Sequence, residues 1–255
     1  MTKISIELVP HAAEEITSEL KGIQEAFPKV NTVNIPDIVR LPTRSWEACG
    51  FCATMLDRDI PHLRACDFDL NEPSLIHDIM SNYKFSEVLL VGGDFFEGRE
   101  HFETSTIDFI KFFKAHYPEV KVYGAIDPYR TDFNSEMAYL KEKIDANIDG
   151  FFTQPFFDLE LLAKWIEALK GHVVYWGLSP VLSSKSQAYW EKRNLVNFPK
   201  DFVPELEWNA QFAADAIELI DRYNSCLYFM PIRIPVVDYL NAIIPKSSIL
   251  ESLLK

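Results

Sequence analysis

The sequence predicts a single α/β domain, a (β/α)8 TIM barrel that spans residues 1–255. Three observations predict it: strand-like runs recur eight times, helical patterns alternate with them, and no linker or low-complexity tract interrupts the chain. The strand-like runs are mostly continuous apolar stretches, which are typical of a parallel sheet covered by helices. A chain of 255 residues, 48% of them hydrophobic, also suits one large α/β domain.

The elements follow one another as strand and helix along the chain. Ser135 is predicted to cap a helix over 136–147, and Asp158 a helix over 159–170. Gly171 is suited to the left-handed end of the second helix. The predicted strands are 3–9, 30–35, 62–68, 86–93, 121–127, 150–156, 172–180 and 225–233.

Composition excludes several classes of protein. A net charge of −13 argues against nucleic-acid binding, because neutralising phosphates requires clustered Lys and Arg. No apolar run reaches the roughly 18–20 residues that span a bilayer. The first residues also lack the apolar stretch of a secretory signal. We therefore expect a soluble cytoplasmic protein that binds neither nucleic acid nor membrane, and aromatic residues on the later helices permit a homo-oligomer.

The cysteines give little sign of a metal or redox site. Cys49 and Cys52 form a CxxC, but no second pair follows at zinc-ribbon spacing. We expect reduced, partly buried thiols. No set of His, Cys, Asp and Glu has convincing metal-ligand spacing, so no metal is expected.

Polar residues end most of the predicted strands, where a barrel of this kind has its active site. Gly92 and Gly93, before Asp94, let backbone approach a flat or phosphorylated ligand closely. No GxGxxG or P-loop is present, which excludes Rossmann and nucleoside-triphosphate sites. The strand-end residues are Glu7, Asn34, Asp37, Asp67, Asp94, Asp127, Gln154 and Arg233.

Gln154 lies in "DGFFTQPFFD", residues 149–158, among four phenylalanines. An unpaired buried amide costs roughly 1–3 kcal/mol, so this side chain needs a partner. Two partners remain open at this point, the barrel backbone and a ligand at the mouth.

Several motifs, in their order along the chain, resemble the methylenetetrahydrofolate reductase family, whose members are flavin-bearing (β/α)8 barrels. The resemblance runs from about residue 4 to 240 and is densest at "LKEKIDANIDGFFTQPFFD". "SIELVP" is similar to the first strand, "HLRACD" to a His-Leu-Thr-Cys segment and "LLVGGD" to an Arg-Gly-Asp strand end. "GLSPVLSSKS" and "YFMPIR" resemble segments of the last two strands.

The resemblance implies reduction of 5,10-methylenetetrahydrofolate to 5-methyltetrahydrofolate by NADH or NADPH through bound FAD, a step of one-carbon metabolism and methionine biosynthesis. It implies Glu7 as the general acid, with Asp94 acting on both flavin and pterin. Apolar neighbours of Glu7 at a barrel mouth favour a raised pKa. The implied binding residues are Gln154, Phe156 and Arg233 for folate, and His62, Gly92, Gly93, Asp94 and Lys143 for the cofactor.

The chain departs from the family pattern at positions that contact FAD. Gly92 and Glu142 stand where the family has arginines, and "AIDPYR" replaces a longer segment after the fifth strand. Two alternatives therefore stand beside the FAD enzyme. One is a flavin-free reductase in which nicotinamide passes hydride directly to the folate, and the other is a folate-binding barrel without activity.

Overall fold

The computed structural model describes residues 3–255. Eight parallel strands close into a barrel in chain order, and β8 pairs back to β1. The predicted fold class and all eight predicted strands are thereby confirmed. The strands are β1 (Ile4–Glu7), β2 (Thr32–Ile35), β3 (Arg58–Arg64), β4 (Glu87–Val91), β5 (Lys121–Ile126), β6 (Gly150–Pro155), β7 (Val174–Leu178) and β8 (Cys226–Phe229).

Helices surround the barrel, with two between β7 and β8 and two after β8. None of the helices within residues 3–255 is long and apolar enough to cross a membrane. Short 3₁₀ turns occupy Ala65–Asp67 and Ile244–Lys246. The helices are α1 (Ala13–Ala26), α2 (Ser45–Cys52), α3 (Ser74–Tyr83), α4 (Thr106–His116), α5 (Phe133–Asp145), α6 (Leu159–Ala168), α7 (Ser184–Arg193), α8 (Leu206–Arg222), α9 (Val236–Ile243) and α10 (Ser248–Leu254).

The helix ends confirm one predicted cap and correct the other. Asp158 caps α6 by accepting a hydrogen bond from the Leu161 amide. Gly171, at φ +92°, takes the left-handed conformation after this helix. The prediction of Ser135 as the cap of α5 is wrong, because Asp132 accepts from the amides two and three residues ahead. Ser135 lies inside the first turn and donates its hydroxyl to Asp132.

Two apolar layers position the strand ends. The outer layer packs the strands against the helices, and Trp165 and Phe109 are among its fully buried members. The inner layer fills the barrel. Its members are Ile60, Leu89, Tyr123, Phe152, Tyr175, Cys226 and Tyr228. Alternate residues therefore face inward, and the inward residue nearest each carboxyl end reaches the mouth.

Candidate functional site

Glu7 ends β1 at the mouth and accepts a hydrogen bond from the Tyr228 hydroxyl of β8. Burial raises the pKa of Glu7 to about 7, and the hydrogen bond from Tyr228 offsets part of this rise. Burial and the neighbouring Glu7 raise the pKa of the Tyr228 phenol well above its ordinary value, so the phenol keeps its proton. A carboxyl group that titrates near neutral pH can hold a proton and release it at the mouth.

A second buried polar chain runs from β1 to β3. Ser5 Oγ lies 2.7 Å from Asn34 Oδ1, and Asn34 Nδ2 lies 3.0 Å from His62 Nε2. Burial lowers the pKa of His62 to about 3, so the ring is neutral and Nε2 accepts from the Asn34 amide. His62 is thus already paired by the protein at the nitrogen that faces the barrel interior.

Gln154 lies where β6 bulges against β7. Four residues of β6, from Phe152 to Pro155, lie opposite three residues of β7, from Tyr175 to Gly177. Gly177 accommodates the bulge, because a Cβ there would lie 2.8 Å from the Thr153 carbonyl oxygen and 3.1 Å from that of Gln154. Thr153 Oγ1 accepts from the Gly177 amide at 2.8 Å. Bulges re-aim side chains beside active sites.

The Gln154 side chain makes no hydrogen bond to any residue between 3 and 255, although it is half-buried. The barrel backbone is therefore not its partner in this structure. Its carbonyl and amide are available for a ligand at the mouth, as expected of a folate-binding residue.

The two glycines after β4 differ in their surroundings. A Cβ at Gly92 would meet only the Thr106 hydroxyl, at 3.5 Å. Gly93, at φ +87°, has no room for one: a Cβ would lie 2.5 Å from Cys66 Sγ and 2.8 Å from Arg64 Nε. Gly93 therefore makes room for a protein side chain, whereas the sequence suggested a close approach to a ligand.

Asp94 lies on the rim, with its side chain 88% exposed. Its carboxylate lies 3.3 Å from Arg193 of α7, and its carbonyl accepts from Arg64 Nη2 at 2.5 Å. The described contacts do not include one between this carboxylate and Glu7 or Gln154. The structure therefore gathers Glu7 and Gln154 at the strand ends and leaves Asp94 outside them.

Lys143 lies on the inner side of α5 and is 3% exposed. Its Nζ donates to the Ala125 carbonyl at 2.5 Å and lies 4.3 Å from the centroid of the Tyr139 ring. Burial lowers the pKa of Lys143 to about 8, against the opposing effect of Glu136. The buried amine thus links α5 to the backbone of β5.

Phe156 corrects an expectation, because it has no exposed surface and belongs to the outer apolar layer. Its ring packs 5.8 Å from Trp176 and 6.4 Å from Tyr129, measured between centroids. It therefore stacks between strands and helices and does not form a wall of the mouth.

Arg233 follows β8 and is exposed, at φ +62°. It has no ion pair among the described residues, and the nearby acidic Asp238 is not paired with it. A non-glycine residue in this backbone region costs roughly 1–2 kcal/mol. Arg233 thus holds an unpaired guanidinium on the rim at a strained position.

Three guanidinium groups converge on Asp67 beyond β3. Arg44 lies 2.7 Å from it, Arg99 3.4 Å and Arg64 3.7 Å. Cys66, Asp67 and His101 offer ligand atoms within 4.8 Å of one another. The three positive charges disfavour a metal ion there, and the His101 ring already accepts a hydrogen bond from the Phe96 amide.

The sequence analysis missed Arg64 and Tyr228. An arginine between Leu63 and Ala65 in an apolar strand was a usable signal for the first of them.

Comparison with known protein families decides the relationship of the chain. The sequence model of the Methylenetetrahydrofolate reductase family matches residues 52–220, about two thirds of the chain. This chain belongs to the methylenetetrahydrofolate reductase family. Membership supports a folate-related function and suggests an oxidoreductase. A search of curated proteins gives no match.

Solved structures agree on the fold. An uncharacterized protein from Clostridium thermocellum that binds two copies of 5-methyl-5,6,7,8-tetrahydrofolic acid is 13% identical, with a TM-score of 0.68 over 98% of this chain and 96% of that one. A 2,3-dimethylmalate lyase is 10% identical, with a TM-score of 0.57 over 99% and 82%. Orotidine 5′-monophosphate decarboxylase from Sulfolobus solfataricus is also 10% identical, with a TM-score of 0.53 over both full lengths. At these identities the likeness shows the barrel alone.

Three of the five residues that the family resemblance assigns to FAD do not fit the flavin as this structure holds them. His62 Nε2 is occupied by Asn34, and Lys143 Nζ by the Ala125 carbonyl. The space over Gly93 is filled by Arg64 and Cys66. Each of these groups would have to leave a protein partner before it could contact a flavin.

Proposed function

We propose that this chain reduces 5,10-methylenetetrahydrofolate to 5-methyltetrahydrofolate with NADH or NADPH as the source of hydride. One observation carries the proposal: Glu7 ends β1 at the mouth, accepts a hydrogen bond from the Tyr228 hydroxyl, and has its pKa raised to about 7 by desolvation. Reduction delivers hydride to the methylene carbon and requires a proton on the leaving nitrogen of the five-membered ring. A protonated Glu7 is suited to supply that proton.

Folate recognition is assigned to groups that the protein leaves without partners. Gln154 presents an amide at the mouth, and Arg233 presents a guanidinium on the rim. The amide suits the donors and acceptors of a pterin ring, and the guanidinium suits the carboxylates of the folate tail. Asp94, from the rim, is proposed as a further pterin contact. The folate-binding barrel from Clostridium thermocellum supports a reduced folate as the ligand class.

The route of the hydride has two candidates, through FAD or directly from the nicotinamide. The placements of His62, Gly93 and Lys143 favour the direct route, because the protein already satisfies these groups. Visible flavin absorbance in the purified protein, and its loss or retention on unfolding and filtration, distinguishes the two routes. A folate-binding barrel without activity is the remaining alternative, and a titratable acid at Glu7 counts against it.

The deciding experiment is turnover by the wild-type protein. Purified protein is mixed with methylenetetrahydrofolate and NADH or NADPH, with and without added FAD, and 5-methyltetrahydrofolate is measured. Formation of that product supports the proposal, and a response to FAD identifies the route. Tight folate binding without product under all four conditions would leave the binding protein as the function.

A further inference from the structure

Arg64 is a buried cation with one nitrogen that the protein does not satisfy. It ends β3 and lies on the inward face of that strand, because His62 and Ile60, two and four positions earlier, point into the barrel. Its side chain is 5% exposed. Nη2 donates to the Asp94 carbonyl, but Nη1 is buried and has no hydrogen-bond partner within residues 3–255.

An unpaired buried donor is rare in native proteins and costs about as much as a lost hydrogen bond. When the donor belongs to a guanidinium, the missing partner is an oxygen acceptor, and an anion is the strongest one. The empty position at Nη1 therefore points to an acceptor that is not part of the chain.

The charges around Arg64 leave it under-neutralised. Its nearest carboxylate is Asp67, at 3.7 Å, and Asp67 lies closer to both Arg44 and Arg99. The Asp94 carboxylate pairs with Arg193, and only the backbone carbonyl of Asp94 accepts a hydrogen bond from Arg64. Asp69, Glu72 and Glu100 line the cavity beyond Asp67 and are not among the contacts of Arg64. A locally positive point in a chain of charge −13 attracts an anionic ligand.

The segment over Arg64, residues 93–98, has features of a segment that can move. Gly93, at φ +87°, and Gly98, at φ +83°, bound it, and Gly93 packs directly on the Arg64 side chain. Phe95 is 79% exposed and Phe96 38% exposed, so the segment buries little apolar surface. Segments with few buried contacts open at low free-energy cost.

We propose that Arg64 Nη1 binds a carboxylate or phosphate of the ligand at the mouth, and that this group reaches Arg64 when the segment 93–98 moves. Two ligands of the proposed function carry such a group. The folate has tail carboxylates, and the nicotinamide dinucleotide has a pyrophosphate. The choice between these two rests on the proposed function, whereas the anion site itself does not.

The test measures binding of three probes by the full chain: 5-methyltetrahydrofolate, NADH and inorganic pyrophosphate. Arg64→Gln should weaken binding of pyrophosphate and of one natural ligand by about 10- to 100-fold, as expected for a lost charged hydrogen bond. The natural ligand that is affected identifies the source of the anion. Arg64→Lys, which keeps the charge but not the fork, should lie between wild type and Arg64→Gln.

Arg99→Gln is the matched control, because it removes another positive charge that pairs with Asp67 and leaves Nη1 of Arg64 unchanged. This variant should bind all three probes within about threefold of wild type, because solvent and salt screen a partly exposed charge. Circular dichroism and thermal melting verify that each variant is folded, and Arg64→Lys carries the test if Arg64→Gln does not fold.

Three results would overturn the anion site: wild-type affinity for every probe in both Arg64 variants, an equal loss in Arg99→Gln, or no binding of any probe by the wild type. Failure of the proposed function is separate, because it shows as absent turnover. Pyrophosphate binding that depends on Arg64 would support the site even then.

Discussion

The two ends of the barrel treat their polar groups differently. At the amino-terminal end, Arg58 and Glu87 form two hydrogen bonds, 2.7 and 2.5 Å long. Tyr175 accepts from Arg58, and Tyr123 donates to Glu87, both at 2.9 Å. Although burial favours the neutral acid, the hydrogen bonds from Arg58 hold the pKa of Glu87 below its ordinary value. The four side chains of this network therefore hydrogen-bond to one another.

The carboxyl-terminal end leaves comparable groups unsatisfied. Gln154 has no side-chain hydrogen bond among the described residues, and Arg64 Nη1 and Ser179 Oγ are buried without one. Glu7 is a half-buried acid of raised pKa, whereas Glu87 is a buried and paired carboxylate. The polar groups at the amino-terminal end therefore stabilise the fold, and those at the carboxyl-terminal end are available to a ligand. This agrees with the usual division of roles in such barrels.

The largest expected effect on activity comes from Glu7→Gln. Loss of a positioned proton donor costs about 10²–10⁴-fold in rate, so this variant should lose folate reduction and retain folate binding. Steady-state turnover and folate affinity, measured on the same preparation, test the split. Near-normal turnover would remove Glu7 from the mechanism.

The pH dependence of Glu7 supplies a second readout of the same variant. Because the acid must be protonated, wild-type folate reduction should fall as pH rises through about 7. The folded pKa lies above the unfolded value of 4.5, so Glu7 costs stability as pH rises through 4.5 to 7. Glu7→Gln should therefore melt higher than wild type at pH 8, and the two should match only below the unfolded value of 4.5.

Glu87→Gln, at the amino-terminal end of the barrel, should lower stability, whereas Glu7→Gln should raise it at pH 8. Breaking a buried ion pair leaves Arg58 uncompensated and costs about 3–5 kcal/mol of unfolding free energy. Urea denaturation measures this loss, and folate affinity of the folded fraction should not change. Glu167→Gln, which breaks an exposed pair with Lys170, is the control and should cost under about 1 kcal/mol. Similar losses in both variants would erase the contrast between the two ends.

Gln154→Ala tests the mouth without an expected loss of stability. No protein hydrogen bond is removed, so the melting temperature should hold while folate affinity falls by about 1–3 kcal/mol. Gln187→Ala, which removes an exposed contact with Glu191, should change neither quantity. A loss of stability with unchanged folate affinity would make Gln154 a structural residue.

Arg233→Gly should have the smallest effect. Glycine adopts φ +62° without strain, so stability should stay within about 1 kcal/mol of wild type. Folate affinity should fall at low salt, and the gap should narrow as salt screens the tail carboxylates. Arg222→Gln, on the exposed face of α8, removes the same charge far from the mouth and is the control. An equal change in both variants would place the folate tail elsewhere.

The sequence predicted the strands because most of them are continuous apolar runs, a pattern that survives small errors in boundary. β3 begins at Arg58, four residues before its predicted start, because its ladder with β2 extends to Thr32. The family resemblance placed Phe156 at the folate, and the bulge between Phe152 and Pro155 explains why it is not at the mouth. The bulge breaks the alternation along β6, so a residue four positions after the inward-facing Phe152 no longer faces inward.

The structure shows where the predicted site residues lie, and their roles stay predictions. Glu7 and Gln154 could be predicted because they end strands whose neighbours are apolar. The hydrogen bond from Tyr228 to Glu7 joins residues 221 positions apart, and no local pattern reports such a contact. The burial of Lys143 and the packing of Arg64 on Gly93 likewise depend on neighbouring strands and helices.

The buried cysteines give the protein two chemical reporters. Burial raises the pKa of Cys49 well above its ordinary value and that of Cys52 to about 12, with Asp59 adding to both shifts. Alkylating reagents attack thiolates, so these two sulfurs should react only when the chain opens. Cys66 is partly exposed beside Arg64, so we expect it to be labelled from the folded state although burial raises the pKa of its thiol as well. Labelling of Cys66 then reports the folded protein, and labelling of Cys49 and Cys52 counts unfolding events in the same sample.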